Sequence, residues 1–172
     1  MNNPIIQILL EDGRVINAML YPEVAPLTVE NFLNLIDANY YDGTIFHRVI
    51  NKFMIQTGGY KVTNNKLEEL KASKTIKGEF NSNGVINKLK HKVGVLSMAR
   101  TMDKNSASSQ FFICSVDCPH LDGDYATFGC VLTTDDLDVV LDIARSKTRD
   151  IGHGFSDFPE DIIRIKAIIR AN

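Results

Sequence analysis

Chemistry in this chain concentrates in two segments. Phe46 to Gly59, FHRVINKFMIQTGG, sets one arginine, Arg48, among the aromatic and thioether side chains of Phe46, Phe53 and Met54, with Gln56 close behind. The second, Ser109-Gln110-Phe111-Phe112-Ile113, supplies another glutamine beside two phenylalanines. A guanidinium is permanently charged and costly to bury without acceptors, so its place in an apolar run draws attention to the amides around it. Together the segments specify an apolar pocket with one fixed cation and two amide side chains. They offer no nucleophile with a base beside it, no metal cage and no phosphate loop. Such a site binds and twists a bond rather than breaking one. His47 is adjacent to Arg48, but strand alternation sends it to the opposite face, which makes it a structural histidine.

The elements that position these residues read mostly as strands. Residues 5 to 20 predict a hairpin, because two apolar runs flank Glu11-Asp12-Gly13-Arg14 and Asp-Gly supports a tight turn. Short runs rich in β-branched, aromatic and apolar residues follow at Phe46 to Thr57, Val93 to Ala99, Gln110 to Val116 and Thr127 to Leu132. If the first run continues as a strand, Phe53 and Ile55 share one face, and Met54 and Gln56 the other, unless a bulge re-aims one of them. Ile163, Ile165, Ala167 and Ile169 alternate with Arg164, Lys166, Ile168 and Arg170 and predict a half-buried closing strand. This spacing suggests an antiparallel barrel or sandwich.

Two helices complete the pattern. One starts at Pro26-Leu27-Thr28, with Thr28 as its cap and Val29, Phe32, Leu33 and Ile36 as its apolar stripe. The other spans Asp135 to Lys147, with Leu137, Val140, Leu141 and Ala144 as the stripe. Its acidic start and basic end suit the helix dipole. Lys61 to Lys92 carries eight lysines against three glutamates and reads as a long solvated loop with one helical turn around Leu67 to Leu70. A basic rim that favours acidic client segments is the sharper reading of the same stretch.

Length and composition bound the rest. The 172 residues fit one domain, 1–172, with a core large enough to need no staples. A net charge of -2 gives no electrostatic reason to expect a nucleic-acid partner. No apolar run approaches the roughly 20 residues that cross a bilayer, and Met-Asn-Asn-Pro lacks the features of a secretory leader, so a cytoplasmic location is expected. Cys114, Cys118 and Cys130 are odd in number and lack the spacing of zinc ligands, which predicts no disulfide, metal or other cofactor.

Taken together, Phe46-His47-Arg48-Val49-Ile50-x-x-Phe53-Met54-Ile55-Gln56, Gly94-Val95-Leu96-Ser97-Met98-Ala99, Ser109-Gln110-Phe111-Phe112-Ile113 and Leu121-Asp122-Gly123 with Phe128-Gly129 strongly resemble the cyclophilin family of peptidyl-prolyl isomerases. The resemblance runs in order from the first hairpin to the C-terminal strand. It implies a mainly β fold, a closed eight-stranded antiparallel barrel capped by two helices, and an activity that speeds rotation about X-Pro bonds and assists protein folding. It matches Arg48 to the catalytic arginine, and Phe53, Met54, Phe112 and Leu121 to the pocket for the proline ring. Gln56 and Gln110 match the peptide-binding glutamines, and Met98-Ala99-Arg100 the strand that pairs with substrate backbone. The partners implied are proline-containing segments of client proteins, met by a monomer.

Several positions depart from the best-known eukaryotic members. His120 stands at the place of a pocket-rim tryptophan that contacts cyclosporin, and Tyr125 replaces a histidine near the proline site. Arg100 stands where many members have asparagine, and Thr57 replaces a glycine beside Gln56. With the one-residue longer loop Thr101 to Ser108, these choices resemble bacterial cyclophilins and imply weak cyclosporin binding. Two other readings compete: a proline-recognising module whose catalysis is incidental, against which the retention of Arg48 speaks, and, from fold logic alone, a barrel that carries a small apolar ligand inside.

Overall fold

The computed structural model describes residues 2–172. Its strands are β1 Ile5–Leu10, β2 Val15–Leu20, β3 Arg48–Ile50, β4 Met54–Thr57, β5 Tyr60–Thr63, β6 Lys66–Glu69, β7 Val95–Met98, β8 Phe111–Cys114, β9 Thr127–Val131, β10 Thr148–Arg149, β11 Phe158–Pro159 and β12 Ile165–Arg170. The helices are α1, Pro26–Asp37, and α2, Thr134–Ala144. Eight strands form one antiparallel sheet in the order β12-β1-β2-β9-β7-β8-β4-β3, while β5-β6 and β10-β11 are separate ribbons.

The first hairpin shows how sequence becomes core. β1 and β2 alternate strictly, so Ile6, Ile8, Leu10, Ile16, Ala18 and Leu20 all turn inward and are buried. Pairing Ile6 with Ala18 and Ile8 with Ile16 places apolar side chains on the same face. Inside the curl, Phe32 from α1 meets Phe111 edge-on at 5.1 Å and Phe128 at 5.1 Å, and Tyr41 donates its hydroxyl to the Ser109 carbonyl at 2.8 Å. These side chains fill the interior, which removes the reading of an internal ligand carrier.

The sheet is strongly curled but open, which corrects the expected closed barrel. Across the seam between β12 and β3 there is one bridge, Ile45 with Arg164, flanked by Phe46 N–H to the Ile163 carbonyl at 3.1 Å and Ile165 N–H to the Thr44 carbonyl at 2.8 Å. β3 itself has only three residues, and Val49 N–H on its free edge donates to Asp157 at 3.0 Å. A loop therefore takes the edge that a closing strand needs.

Four local expectations also change. Thr28 is not a cap: it lies inside α1, behind Ala25 at the N-cap and Pro26, and its N–H and Oγ1 donate to Glu79 Oε1 at 2.6 and 2.7 Å. The carboxyl group of a distant loop thus satisfies the helix start. α2 begins behind Thr133, whose side chain forms a capping box with Asp136, and it ends at Ala144 rather than Lys147. Ile143 joins Val140 and Ala144 in its buried face, while Leu141 is half-buried. Leu67 to Leu70 is not helical, because Lys66–Glu69 pairs with Tyr60–Thr63 as a hairpin turned by Asn64 and Asn65 at positive φ. In β12 a register shift between Leu9 and Leu10 breaks the alternation, so Ile165 and Ile168 are buried and Ile169 is exposed.

Candidate active site

Strand register brings the two sequence segments together. Arg48 lies opposite Gln56 in β3-β4, Gln56 opposite Phe112 in β4-β8, and Phe112 opposite Ser97 in β7-β8. Directly opposed residues project to the same face, so one row across four strands carries the cation, an amide, an aromatic ring and a hydroxyl. Ile55, Ile113 and Leu96 form the next row and point into the core. Phe53 does not share Ile55's face. It sits in the β3-β4 turn behind Lys52, whose φ is 61°, and the turn aims it outward beside Met54.

The resulting cavity has a volume of about 90 Å³. Met54 and Phe112 form its buried floor, Phe53, Leu121 and Tyr125 its walls, and Arg48, Ala99 and Arg100 its rim. The phenol ring of Tyr125 stands edge-on to Phe112, with centroids 6.0 Å apart. Leu121 reaches the cavity from the short 3-10 turn Pro119–Leu121. His120, on the same turn, stays outside with its exposed ring 5.6 Å from that of Phe53.

A wider groove of about 460 Å³ adjoins the cavity and contains Gln56, Ala99, Arg100 and Gln110. Arg48 Nη1 donates to Gln56 Oε1 at 3.3 Å, and Gln56 Nε2 donates to Gln110 Oε1 at 3.0 Å. Gly59 makes room for Gln110, whose side chain lies where a Cβ would stand. The N–H groups of Met98 and Ala99 are held by the Ala126 and Gln110 carbonyls, each at 3.0 Å, so a bound peptide cannot take them. Glu69 and Lys71 from the end of the β5-β6 hairpin form the far wall, so the lysine-rich stretch presents both charges here.

Arg100 is fixed. Its Nε and Nη2 donate to the Asp124 carbonyl at 3.1 and 2.8 Å, and its guanidinium lies 4.7 Å from the Tyr125 ring and 4.9 Å from Phe80. Thr57 leaves the turn beside Gln56 intact, since its hydroxyl donates to the Ile45 carbonyl at 2.8 Å and the positive φ falls on Gly58.

Burial separates His47 and His91 from an acid-base role in the cavity. Burial, reinforced by Arg48, lowers the pKa of His47 to about 4, and its ring packs on Tyr60 at 4.6 Å, on the face away from the cavity floor. His91, which no sequence motif singled out, is buried beneath the cavity with Nδ1 3.0 Å from Asp122 and Nε2 2.9 Å from Ser97. Its flanking lysines disguised it as part of a solvated loop. Burial also raises the thiol pKa values of Cys114 and Cys118, which pack under Met54 and Phe112. Among the described residues, no group of three or more His, Cys, Asp or Glu side chains is arranged to hold a metal ion.

Residues 5–169 match the family model described as cyclophilin type peptidyl-prolyl cis-trans isomerase/CLD. The chain belongs to the cyclophilin-type peptidyl-prolyl cis-trans isomerases. A peptidyl-prolyl cis-trans isomerase of Acinetobacter baylyi is 44% identical over 138 residues, covering 77% of this chain and 68% of its own. Peptidyl-prolyl cis-trans isomerase B of Escherichia coli is 36% identical over 159 residues, 88% of each chain. Among solved structures, a Cryptosporidium parvum cyclophilin in the presence of the dipeptide Ala-Pro superposes with a TM-score of 0.75 at 28% identity, covering 98% of this chain and 99% of that one. The bacterial cast of the sequence is thus found in its relatives, and this cyclophilin is a peptidyl-prolyl isomerase.

Proposed function

We propose that Arg48 carries the catalytic step and that the cavity of Phe53, Met54, Phe112, Leu121 and Tyr125 holds the proline ring of a client segment. Rotation about X-Pro is opposed by roughly 18–20 kcal/mol because resonance keeps the amide planar. As the bond twists, conjugation is lost, the prolyl nitrogen becomes pyramidal, and its lone pair becomes a hydrogen-bond acceptor. A guanidinium at the cavity rim stabilises that nitrogen more in the twisted state than in the planar one, which is the condition for acceleration. No bond forms or breaks in this step.

Gln56 and Gln110 bind the peptide backbone, and Ala99 and Arg100 anchor the flanking chain as an added strand. His120 contacts the substrate at the rim. The single observation that carries the reading is the juxtaposition of Arg48 with an apolar cavity whose floor is Met54 and Phe112. A module that only recognised proline would need the cavity but not the cation. The reading extends to one domain over residues 1–172, acting as a monomer in the cytoplasm, where thiols such as Cys114 and Cys118 stay reduced. It also includes weak cyclosporin binding at the same cavity.

Two-dimensional NMR exchange on a short Ala-Pro peptide tests the assignment. Wild type should speed cis/trans exchange, and Arg48→Ala should lose about 10²-fold or more in rate, the usual effect of removing a donor aimed at developing charge. A mutant that matches wild type would remove Arg48 from the mechanism.

A further inference from the structure

His91 belongs to none of the motifs that mark the site, yet its side chain is only 1% exposed and lies directly under the proline cavity. Its ring plane is 12° from that of Phe112, with centroids 6.0 Å apart. One end is anchored to the turn that bears Leu121: Nδ1 is 3.0 Å from Asp122 Oδ1, and the backbone N–H of His91 donates to the same oxygen at 2.7 Å. The His91 carbonyl also accepts from Cys118 N–H at 2.7 Å, where that turn begins. At the other end Nε2 is 2.9 Å from Ser97 Oγ, and Ser97 is the cross-strand partner of Phe112.

Charge fixes the proton positions. Partial burial works against the Asp122 carboxylate, but the hydrogen bonds from His91 outweigh it and hold the group below its ordinary range. Burial also lowers His91, against the pull of Asp122. A neutral imidazole beside an anionic carboxylate keeps its proton on Nδ1 and accepts the Ser97 hydroxyl at Nε2.

We propose that His91 is a positioning residue of the isomerase, whose imidazole, bridged between Asp122 and Ser97, sets the spacing between Phe112 and Leu121 and so the grip on the proline ring. The proposal rests on the reading of that cavity as the proline site. Protonation turns Nε2 into a donor, so the Ser97 hydroxyl loses its acceptor and a charge appears beneath an apolar floor. The grip therefore loosens on acidification. The titratable groups around the ring are Asp122, His120 and Cys118 from the turn, Asp117 just before it, Tyr125 from the approach to β9, and Lys90 and Lys92 in its own segment. Asp122 favours the charged ring and His120 opposes it.

Exchange kinetics on a capped, uncharged Ala-Pro peptide, followed from about pH 8 to about pH 4.5, test this in wild type, His91→Phe, Asp122→Asn and His120→Gln. His91→Phe keeps a ring against Phe112 and removes both polar contacts. It should raise KM about fivefold, change kcat by less than about twofold, and flatten the acid fall of kcat/KM expected of wild type. Asp122→Asn should move that fall to lower pH, and His120→Gln, which removes the opposing neighbour, should move it slightly to higher pH without abolishing it. Wild-type KM and an unchanged acid fall in folded His91→Phe would overturn the proposal, as would an acid fall that disappears with His120 instead. Should His91→Phe not fold, the Asp122→Asn profile decides, and an unshifted midpoint counts against the bridge. A wild type without activity would sink the proline-site reading rather than this one.

Discussion

Arg48 and Gln56 face each other across the β3-β4 ladder, and the guanidinium donates to the amide oxygen at 3.3 Å. Gln56 in turn donates to Gln110, so the Arg48 guanidinium is steadied by a chain of two amides. Long charged side chains lose considerable rotamer freedom when held in one place, and a partner already in position supplies part of that cost before substrate arrives. Gln56→Ala should therefore lower kcat/KM about tenfold, or about 1.4 kcal/mol, near the lower end of the roughly 1.5–3 kcal/mol of a hydrogen bond to a charged group. Thermal unfolding should move little, because Gln56 lies on the outer face. An unchanged kcat/KM would show that Arg48 needs no steadying.

Among the described residues, Glu79 is the only acceptor for the Thr28 N–H and hydroxyl, at 2.6 and 2.7 Å inside the fold. Replacing it with alanine leaves two buried donors without a partner and strips the start of α1 of its cap. Glu79→Ala should cost about 2–4 kcal/mol and lower Tm by about 2–4 °C for each kcal/mol lost. Glu79→Gln, which keeps an acceptor, should recover most of this. Activity per folded molecule should be unchanged in both variants, as measured by exchange kinetics alongside denaturation.

The Glu79 cap also marks where sequence reasoning ends. Features that depend on near neighbours were legible: the alternation of β1 and β2, the stripe of α1 and the acidic start of α2 each follow from residues within one or two turns. The row Arg48-Gln56-Phe112 was half legible, since alternation placed Met54 with Gln56 but could not foresee that Lys52 would turn Phe53 to join them. Features that depend on distant partners were not. Thr28 looks like a cap until Glu79 arrives from 51 residues away, and the phase of β12 is set by a bulge against β1. His91 sits between two lysines, and only the fold carries Asp122 and Ser97 to its two nitrogens.

His47 ties stability to pH. Its pKa falls from 6.5 to about 4 on folding, chiefly because burial disfavours the imidazolium. The unfolded chain therefore binds more protons than the folded one between those values. The stabilisation is complete above the unfolded value and is lost progressively as pH falls from 6.5 toward 4. The shift corresponds to about 3 kcal/mol over that window, at 1.36 kcal/mol for each pH unit. Chemical denaturation of wild type should show this slope, and His47→Phe should flatten it. A variant that kept the full slope would assign it to another group that titrates from the same unfolded value, such as His91, whose folded pKa burial also lowers.

His120 governs the outer lip of the cavity. Its exposed imidazole stands 5.6 Å from Phe53 at an angle of 37°, on the turn that also carries Leu121. On the proposed reading, a large apolar ligand such as cyclosporin would extend past the cavity and gain affinity in proportion to the apolar surface it covers there. An indole at this position offers more such surface than an imidazole, and about 50 Å² of extra burial is worth roughly 1.3 kcal/mol at 25 cal/mol/Å². His120→Trp should then bind cyclosporin about tenfold more tightly by calorimetry. Exchange rates on a short Ala-Pro peptide should change far less, because the peptide ends before it reaches the lip. Equal affinities would move the origin of weak binding to Tyr125, held under the guanidinium of Arg100 at 4.7 Å, and Tyr125→His is then the variant that should recover it.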